Sequence, residues 1–204
     1  MANKLWDKGF KEDERIDAFT VGNDRELDHE LAPYDIMGTM AHITMLESVG
    51  LLSKEDLDKL LPVLKELYSS ACKGELYVEE DVEDIHSQIE LMLTRRLGDV
   101  GKKVHTGRSR NDQVLVDLKL YARAEIENTV HKVESLFNTL QEASERYKDV
   151  LIPGYTHLQV AMPSSFGLWF GAYAESLCDD LSIMKAAWDV VNLNPLGSAA
   201  GYGS

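Results

Sequence analysis

An all-α fold is predicted by three features of the sequence. From Arg108 through Ile152, 45 residues pass without proline or glycine while apolar side chains recur at helical spacing. A second pattern of the same kind follows Pro163, and no segment of strand length alternates between apolar and polar residues. The expected layout is a small helical domain over residues 1–108, followed over 109–204 by the first long helices of a helical bundle.

The N-terminal elements are short. Spacing predicts helices over Pro33–Val49, Lys54–Cys72 and Asp81–Leu97, each stopped by a glycine (Gly50, Gly74, Gly98), the residue that most readily turns left-handed after a helix. Ser53 followed by Asp56 resembles a capping box. Glu79, Glu80, Asp81, Glu83 and Asp84 crowd the start of the third helix and Arg95 and Arg96 its end, as the helix dipole favours, so these charges need no catalytic role. Pro62 is expected to kink or split the second helix.

In the long pattern Ile126, Val133, Leu140 and Tyr147 lie seven apart, and Val130, Leu136, Phe137 and Ala143 widen the stripe, so this helix should touch more than one neighbour. At 1.5 Å per residue it would be about 55 Å long, more than an ordinary domain's diameter. The pattern opened by Pro163 continues through Phe166, Trp169, Phe170, Tyr173, Leu177, Leu181, Met184, Trp188 and Val191. Gly167 and Gly171 within it mark close backbone approach to another helix. The stretch Asn194–Ser204 is glycine-rich, of the sort that joins two elements, so the chain is expected to be a piece of a longer one.

Composition narrows the function classes. With 21 basic against 35 acidic side chains the formal charge is −14, which opposes binding to nucleic acid or to an anionic membrane. Cys72 and Cys178 are too few for a disulfide framework and lack zinc-site spacing, so a reducing cytoplasm fits best. The N-terminus has no signal-peptide core, and the longest apolar run, Phe166–Ala174, is far short of a membrane span. Phosphate-loop, dinucleotide and His-Glu-x-x-His motifs are absent.

The segment His105-Thr-Gly-Arg-Ser-Arg-Asn-Asp-Gln113 concentrates two guanidiniums, a hydroxyl and an amide just before the long helix. Unpaired amides and the positive end of the dipole make a helix start an anion site, which Arg108, Ser109, Arg110 and Asn111 would extend toward a carboxylate. Equally, Ser109 can be a simple N-cap and Arg108 with Asp112 a surface i,i+4 pair. A second polar cluster, Gly154-Tyr-Thr-His-Leu-Gln159, lies in the connection between the long helices. There His157 can shuttle a proton near neutral pH while Thr156 and Gln159 hold a polar edge of a substrate, or His157 can be an ordinary loop residue. His29, His42 and His131 have no partner at metal-ligand spacing; His86 sits among carboxylates that would orient its ring.

Taken together, Glu83-Asp-Ile-His-Ser87, Gly101-Lys-Lys-Val-His-Thr-Gly-Arg-Ser-Arg-Asn-Asp-Gln113, Asp117-Leu-Lys-Leu120, Pro153-Gly-Tyr-Thr-His-Leu-Gln159 and Pro195-Leu-Gly197 resemble the argininosuccinate lyases of the fumarase and aspartase superfamily, in order and approximate spacing, from about residue 28 onward. The resemblance implies a fumarase/aspartase-like helical fold and a β-elimination of argininosuccinate to arginine and fumarate, without metal or organic cofactor. By the same resemblance Ser109, Arg110 and Asn111 are substrate-carboxylate ligands, Thr156 a substrate contact, and His157 the proton-handling residue or its activator, while Arg108 braces the turn.

The family's mobile Gly-Ser-Ser-x-Met-Pro-x-Lys-x-Asn loop, which supplies the serine of proton transfer, is not in this sequence. The resemblance therefore implies the N-terminal part of a longer enzyme, inactive alone, whose complete form is a homotetramer with active sites built from three subunits. Val160 and Met162 stand where many members carry arginine and glutamine, and Trp6-Asp-Lys-Gly-Phe10 departs from the family's Trp-Gly-Gly-Arg-Phe, so contacts from those positions do not transfer. Two alternatives accompany this expectation: a non-catalytic homologue of the lens-crystallin kind, and a superfamily lyase acting on another succinyl substrate.

Overall fold

A computed structural model describes residues 14–195; the Trp6–Phe10 segment and the linker beyond Pro195 lie outside them. The chain is helical, as expected: α1 Glu14–Val21, α2 Asp24–Leu27, α3 Ala32–Ser48, α4 Lys54–Cys72, α5 Ile85–Leu97, α6 Asp99–Lys102, α7 Arg110–Arg146 and α8 Phe166–Val191. A two-stranded antiparallel hairpin, β1 Leu151–Thr156 and β2 Gln159–Ser165, joins α7 to α8. Two compact units are present, one running through Tyr121 and including Asn194, the other Ala122–Leu193.

In the first unit α3, α4 and α5 pack around one apolar core. Ile36, Ile43 and Leu46 from α3 meet Leu57, Leu60, Leu64 and Leu67 from α4 and Ile85, Ile89 and Leu93 from α5, all at most 3% exposed. Each such side chain contributes about 1.5–3 kcal/mol by leaving water. Helix ends follow the local signals. Ser53 caps α4 by accepting from the Asp56 amide at 3.1 Å, and Gly50, Gly74 and Gly98 turn with positive φ.

Two local expectations are corrected. Helix α4 runs unbroken through Pro62, whose exposed position leaves the unpaired carbonyl one turn earlier open to water. Helix α5 begins at Ile85 rather than Asp81, because the Asp84 carboxylate accepts from the Ser87 amide at 2.8 Å and makes that residue the cap. The acidic run before it is instead tied across the unit, Glu79 to Arg95 at 2.9 Å and Asp84 to Arg110 at 2.8 Å.

The second unit holds the rest of α7, the hairpin and α8. Ser165 caps α8 through the Leu168 amide, so the helix starts three residues after Pro163. Gly167 is the close backbone approach expected of it, whereas Gly171 makes only an ordinary contact with a side chain. A Cβ on Gly167 would lie 2.6 Å from Lys148 Cα, and one on Gly171 3.5 Å from Ser144 Oγ, which itself donates to the Gly167 carbonyl at 2.7 Å. Of α8's residues Gly167 and Ala174 are buried, while Leu168, Trp169, Tyr173, Ile183 and Val190 stay exposed.

Candidate functional site

The turn that opens α7 is built from below. Helix α6 lies directly on α5: a Cβ on Gly101 would come within 2.5 Å of the Leu93 carbonyl carbon, so only glycine fits. A 3₁₀ turn, Lys103–His105, follows, pinned by buried Val104 and by Lys103 Nζ on Asp56 at 2.6 Å. Gly107 then turns left-handed (φ 66°), which lets Arg108 point inward and Ser109 start the next helix.

Ser109 and Asp112 form a reciprocal cap. The Ser109 amide donates to Asp112 Oδ2 at 2.9 Å, and Ser109 Oγ accepts from the Asp112 amide at 3.3 Å. The surface pair between Arg108 and Asp112 does not form, because Arg108 is buried and donates to Thr39 Oγ1 of α3 at 3.1 Å. Arg108 thus braces the turn. Arg110 is half-buried and held by Asp84 at 2.8 Å, Glu83 at 3.4 Å and Ser87 Oγ at 3.0 Å, while Asn111 is exposed beside it.

Behind this turn lies a buried polar cluster. One face of α3 carries Asp35, Gly38, Thr39 and His42 at i, i+3, i+4 and i+7. His86 Nδ1 hydrogen-bonds to Asp35, Gln113 Nε2 donates to Asp35 at 3.3 Å, and His42 Nε2 reaches the Thr106 carbonyl at 2.8 Å. Asp117, 0% exposed, places Oδ2 3.6 Å from His86 Nδ1. Asp35, His86 and Asp117 offer donor types that also serve divalent cations. Here, however, the His86 nitrogen is committed to Asp35, and the Arg108 charge acts on both carboxylates, so the group is knit as a proton and charge network.

Electrostatics divide the histidines. Burial disfavours the His86 charge most strongly, yet the Asp35 hydrogen bond and the Asp35, Asp84 and Asp28 charges outweigh it and raise the pKa. His105, half-buried, is lowered by burial and then by the Arg108 and Arg110 charges.

In the second unit Thr156 and His157 lie at the tip of the β-hairpin, where Thr156 pairs with Gln159. His157 and Leu158 both have positive φ, 46° and 65°, a two-residue turn that ordinarily uses asparagine and glycine. Holding non-glycine residues there costs of order 1–3 kcal/mol each. The ring of His157 and all of Leu158, 98% exposed, project from the unit. Ser109, Arg110 and Asn111 are therefore brought together at one helix start, and Thr156 and His157 at one hairpin tip in the other unit.

The Asp35, Thr39, Gln113 and Asp117 cluster was not singled out from the sequence. A signal existed: lone carboxylates inside the apolar stretches Tyr34–Leu46 and Val114–Tyr121.

Comparison with known proteins places these features in context. A family model described as a lyase matches residues 8–204. An argininosuccinate lyase of Parabacteroides distasonis is 66% identical over the whole of this chain, and one of Phocaeicola vulgatus 65%. In both cases the chain spans 46% of the relative's length. Among solved structures, an EDDS lyase variant with bound fumarate superposes with a TM-score of 0.74 at 26% identity, covering 97% of this chain and 39% of that one.

Proposed function

This chain belongs to the lyase family, and on that premise we propose that it is part of an argininosuccinate lyase, which cleaves argininosuccinate to arginine and fumarate by β-elimination. The start of α7 carries the proposal. A capped helix N-terminus presenting Ser109, Arg110 and exposed Asn111, with Arg108 turned inward as a brace, is suited to one end of a dicarboxylate.

In the reaction a proton leaves the carbon beside a carboxylate, and its electron pair moves toward that carboxylate as an aci-carboxylate. The double bond of fumarate then forms as the carbon–nitrogen bond breaks, and the departing guanidino nitrogen takes a proton. Donors fixed in advance stabilise the extra negative charge without reorganising. That is the role proposed for Ser109, Arg110 and Asn111. Thr156 is the proposed substrate contact, and His157 handles the proton or activates the group that does. A substrate carboxylate on Arg110 competes with Asp84, so binding loosens the tie between α7 and the acidic segment before α5.

The complete enzyme is proposed to be a cytoplasmic homotetramer. Exposed Trp169, Tyr173, Ile183 and Val190 on α8 support assembly, and exposed free Cys72 and Cys178 suit a reducing compartment. Among the described residues no helix is long and apolar enough to cross a membrane. The test is fumarate release from argininosuccinate by the complete enzyme, followed by ultraviolet absorbance, together with its His157→Asn variant. Loss of most turnover in the variant supports the assignment; undiminished turnover removes His157 from it. Absence of elimination by the complete enzyme would favour a crystallin-like role, and elimination from a different succinyl compound a different substrate.

A further inference from the structure

We infer that Asp117 is a positioning residue: its carboxyl group donates a hydrogen bond to Asp35 and fastens the first turns of α7 to α3, so that Ser109, Arg110 and Asn111 are held where a carboxylate meets them. The inference rests on the function proposed above for those three residues.

The geometry excludes the ordinary role of a carboxylate. Asp117 is 0% exposed, and neither of its oxygens receives a hydrogen bond from a donor. The nearest, His86 Nδ1 at 3.6 Å, is already given to Asp35. A charged, unpaired carboxylate in such a place is very costly. Protonated, the same group becomes a donor, and Asp35, with a carboxylate oxygen within 4.8 Å of one of Asp117's, is the acceptor at hand. Asp35 is then surrounded by donors from three sides: Asp117 and Gln113 from α7, His86 from α5 and Thr39 from its own helix.

The two helices are close enough for this because Gly38 lies between. A Cβ there would stand 3.2 Å from Val116 Cγ1 and 3.7 Å from Asp117 Oδ1. Asp117 follows Arg110 by seven residues, about two helical turns, so the pair with Asp35 anchors the same face of α7 that starts at the arginine. Burial, first, and the Asp35 charge, second, push the Asp117 pKa up to about 9. Arg108 from the turn acts in the opposite direction without reversing it, and Asp28, from the segment before α3, adds to the rise. Asp112 of α7 is engaged at the Ser109 cap, and the other titratable neighbour, His86, is drawn toward its charged form by Asp35.

A proton held by the folded state and absent from the unfolded one gives a signature that simple packing lacks. Between the ordinary value of 3.8 and about 9 the folded protein binds one more proton at Asp117 than the unfolded chain, so stability falls as pH rises and levels off above about 9. His86, also raised, contributes a fall of the same sign above 6.5. Asparagine at position 117 mimics the protonated acid: it donates to Asp35 and never ionises.

Asp117→Asn and Asp117→Ala are to be compared with the native protein by urea unfolding from pH 7 to 10. Expected are a shallower fall between pH 7 and 9 in both variants, a higher midpoint than native at pH 8.5 in Asp117→Asn, and a lower midpoint than Asp117→Asn throughout in Asp117→Ala. In the complete enzyme the alanine variant should raise KM for argininosuccinate at least tenfold, and the asparagine variant should recover most of that loss. The inference is overturned if Asp117→Asn keeps the native slope, or if it is no better than alanine in both assays. If the native complete enzyme releases no fumarate, the lyase proposal fails while the unfolding slopes still decide where the proton sits.

Discussion

Replacing Thr39 with valine keeps the shape of the side chain and deletes its hydroxyl, which makes it a clean probe of the brace behind the α7 turn. Two hydrogen bonds meet at that oxygen. Arg108 donates to it at 3.1 Å, and it donates to Asp35 Oδ1 at 3.5 Å. The second is at the outer limit of a hydrogen bond and adds little. The first joins a charged donor to a site that is 1% exposed, and Arg108 Nε is already without a partner, so the guanidinium has nothing nearby to take the place of the hydroxyl. Hydrogen bonds to charged groups are worth about 1.5–3 kcal/mol, and the apolar volume is unchanged, so Thr39→Val should destabilise by about 2 kcal/mol. Equilibrium urea unfolding followed by circular dichroism measures this as a lower midpoint at constant slope. In the complete enzyme the same variant should raise KM more than it lowers kcat, because the loosened turn carries the proposed carboxylate ligands. A loss below about 0.5 kcal/mol would refute the brace, since it would mean that water or another group satisfies Arg108.

Three further outcomes are expected. Ser109→Ala removes the reciprocal cap and should cost about 1 kcal/mol in urea unfolding, with Ser109→Gly costing less. Gly167→Ala places a methyl group 2.6 Å from Lys148 Cα, a collision with backbone rather than a flexible tip, and should cost about 1–3 kcal/mol; a variant of native stability would show that α8 can shift. The raised pKa of His86 gives stability that is complete below its ordinary 6.5 and is lost as pH rises through the folded value. An NMR titration of the His86 ring should therefore show a midpoint above 6.5 that falls in Asp35→Asn, and a midpoint below 6.5 would contradict the Asp35 pairing.

Helix limits were legible where chemistry is local. Ser53 with Asp56 and the stops at Gly50, Gly74 and Gly98 act within one turn of chain, so the sequence carries them whole. The hairpin was not legible. β1 and β2 are exposed along most of both faces, with prolines paired across them at Pro153 and Pro163, so no alternation of apolar and polar residues survives to mark them. The site divides in the same way. Ser109 as cap follows from its place before a long helix, whereas Arg108 as brace comes only from the family resemblance. The partners that make Arg108 a brace lie 69 positions away at Thr39, and those of His86 lie 51 away at Asp35, distances at which only tertiary packing decides. Arg110 shows a further limit: its place at the helix start was legible, but its partners Asp84, Glu83 and Ser87, more than twenty positions earlier, were not.

The helix pair of the second unit has a consequence for the cell. Because Trp169, Ile183 and Val190 of α8 stay exposed, part of its apolar surface is left uncovered within its own unit. In the homotetramer proposed above, covering that surface between copies would make part of the stability obey mass action, growing with the amount of chain synthesised and draining away on dilution. Gene dosage would then act on folding as well as on quantity, and a damaged copy would trouble its intact neighbours by joining them.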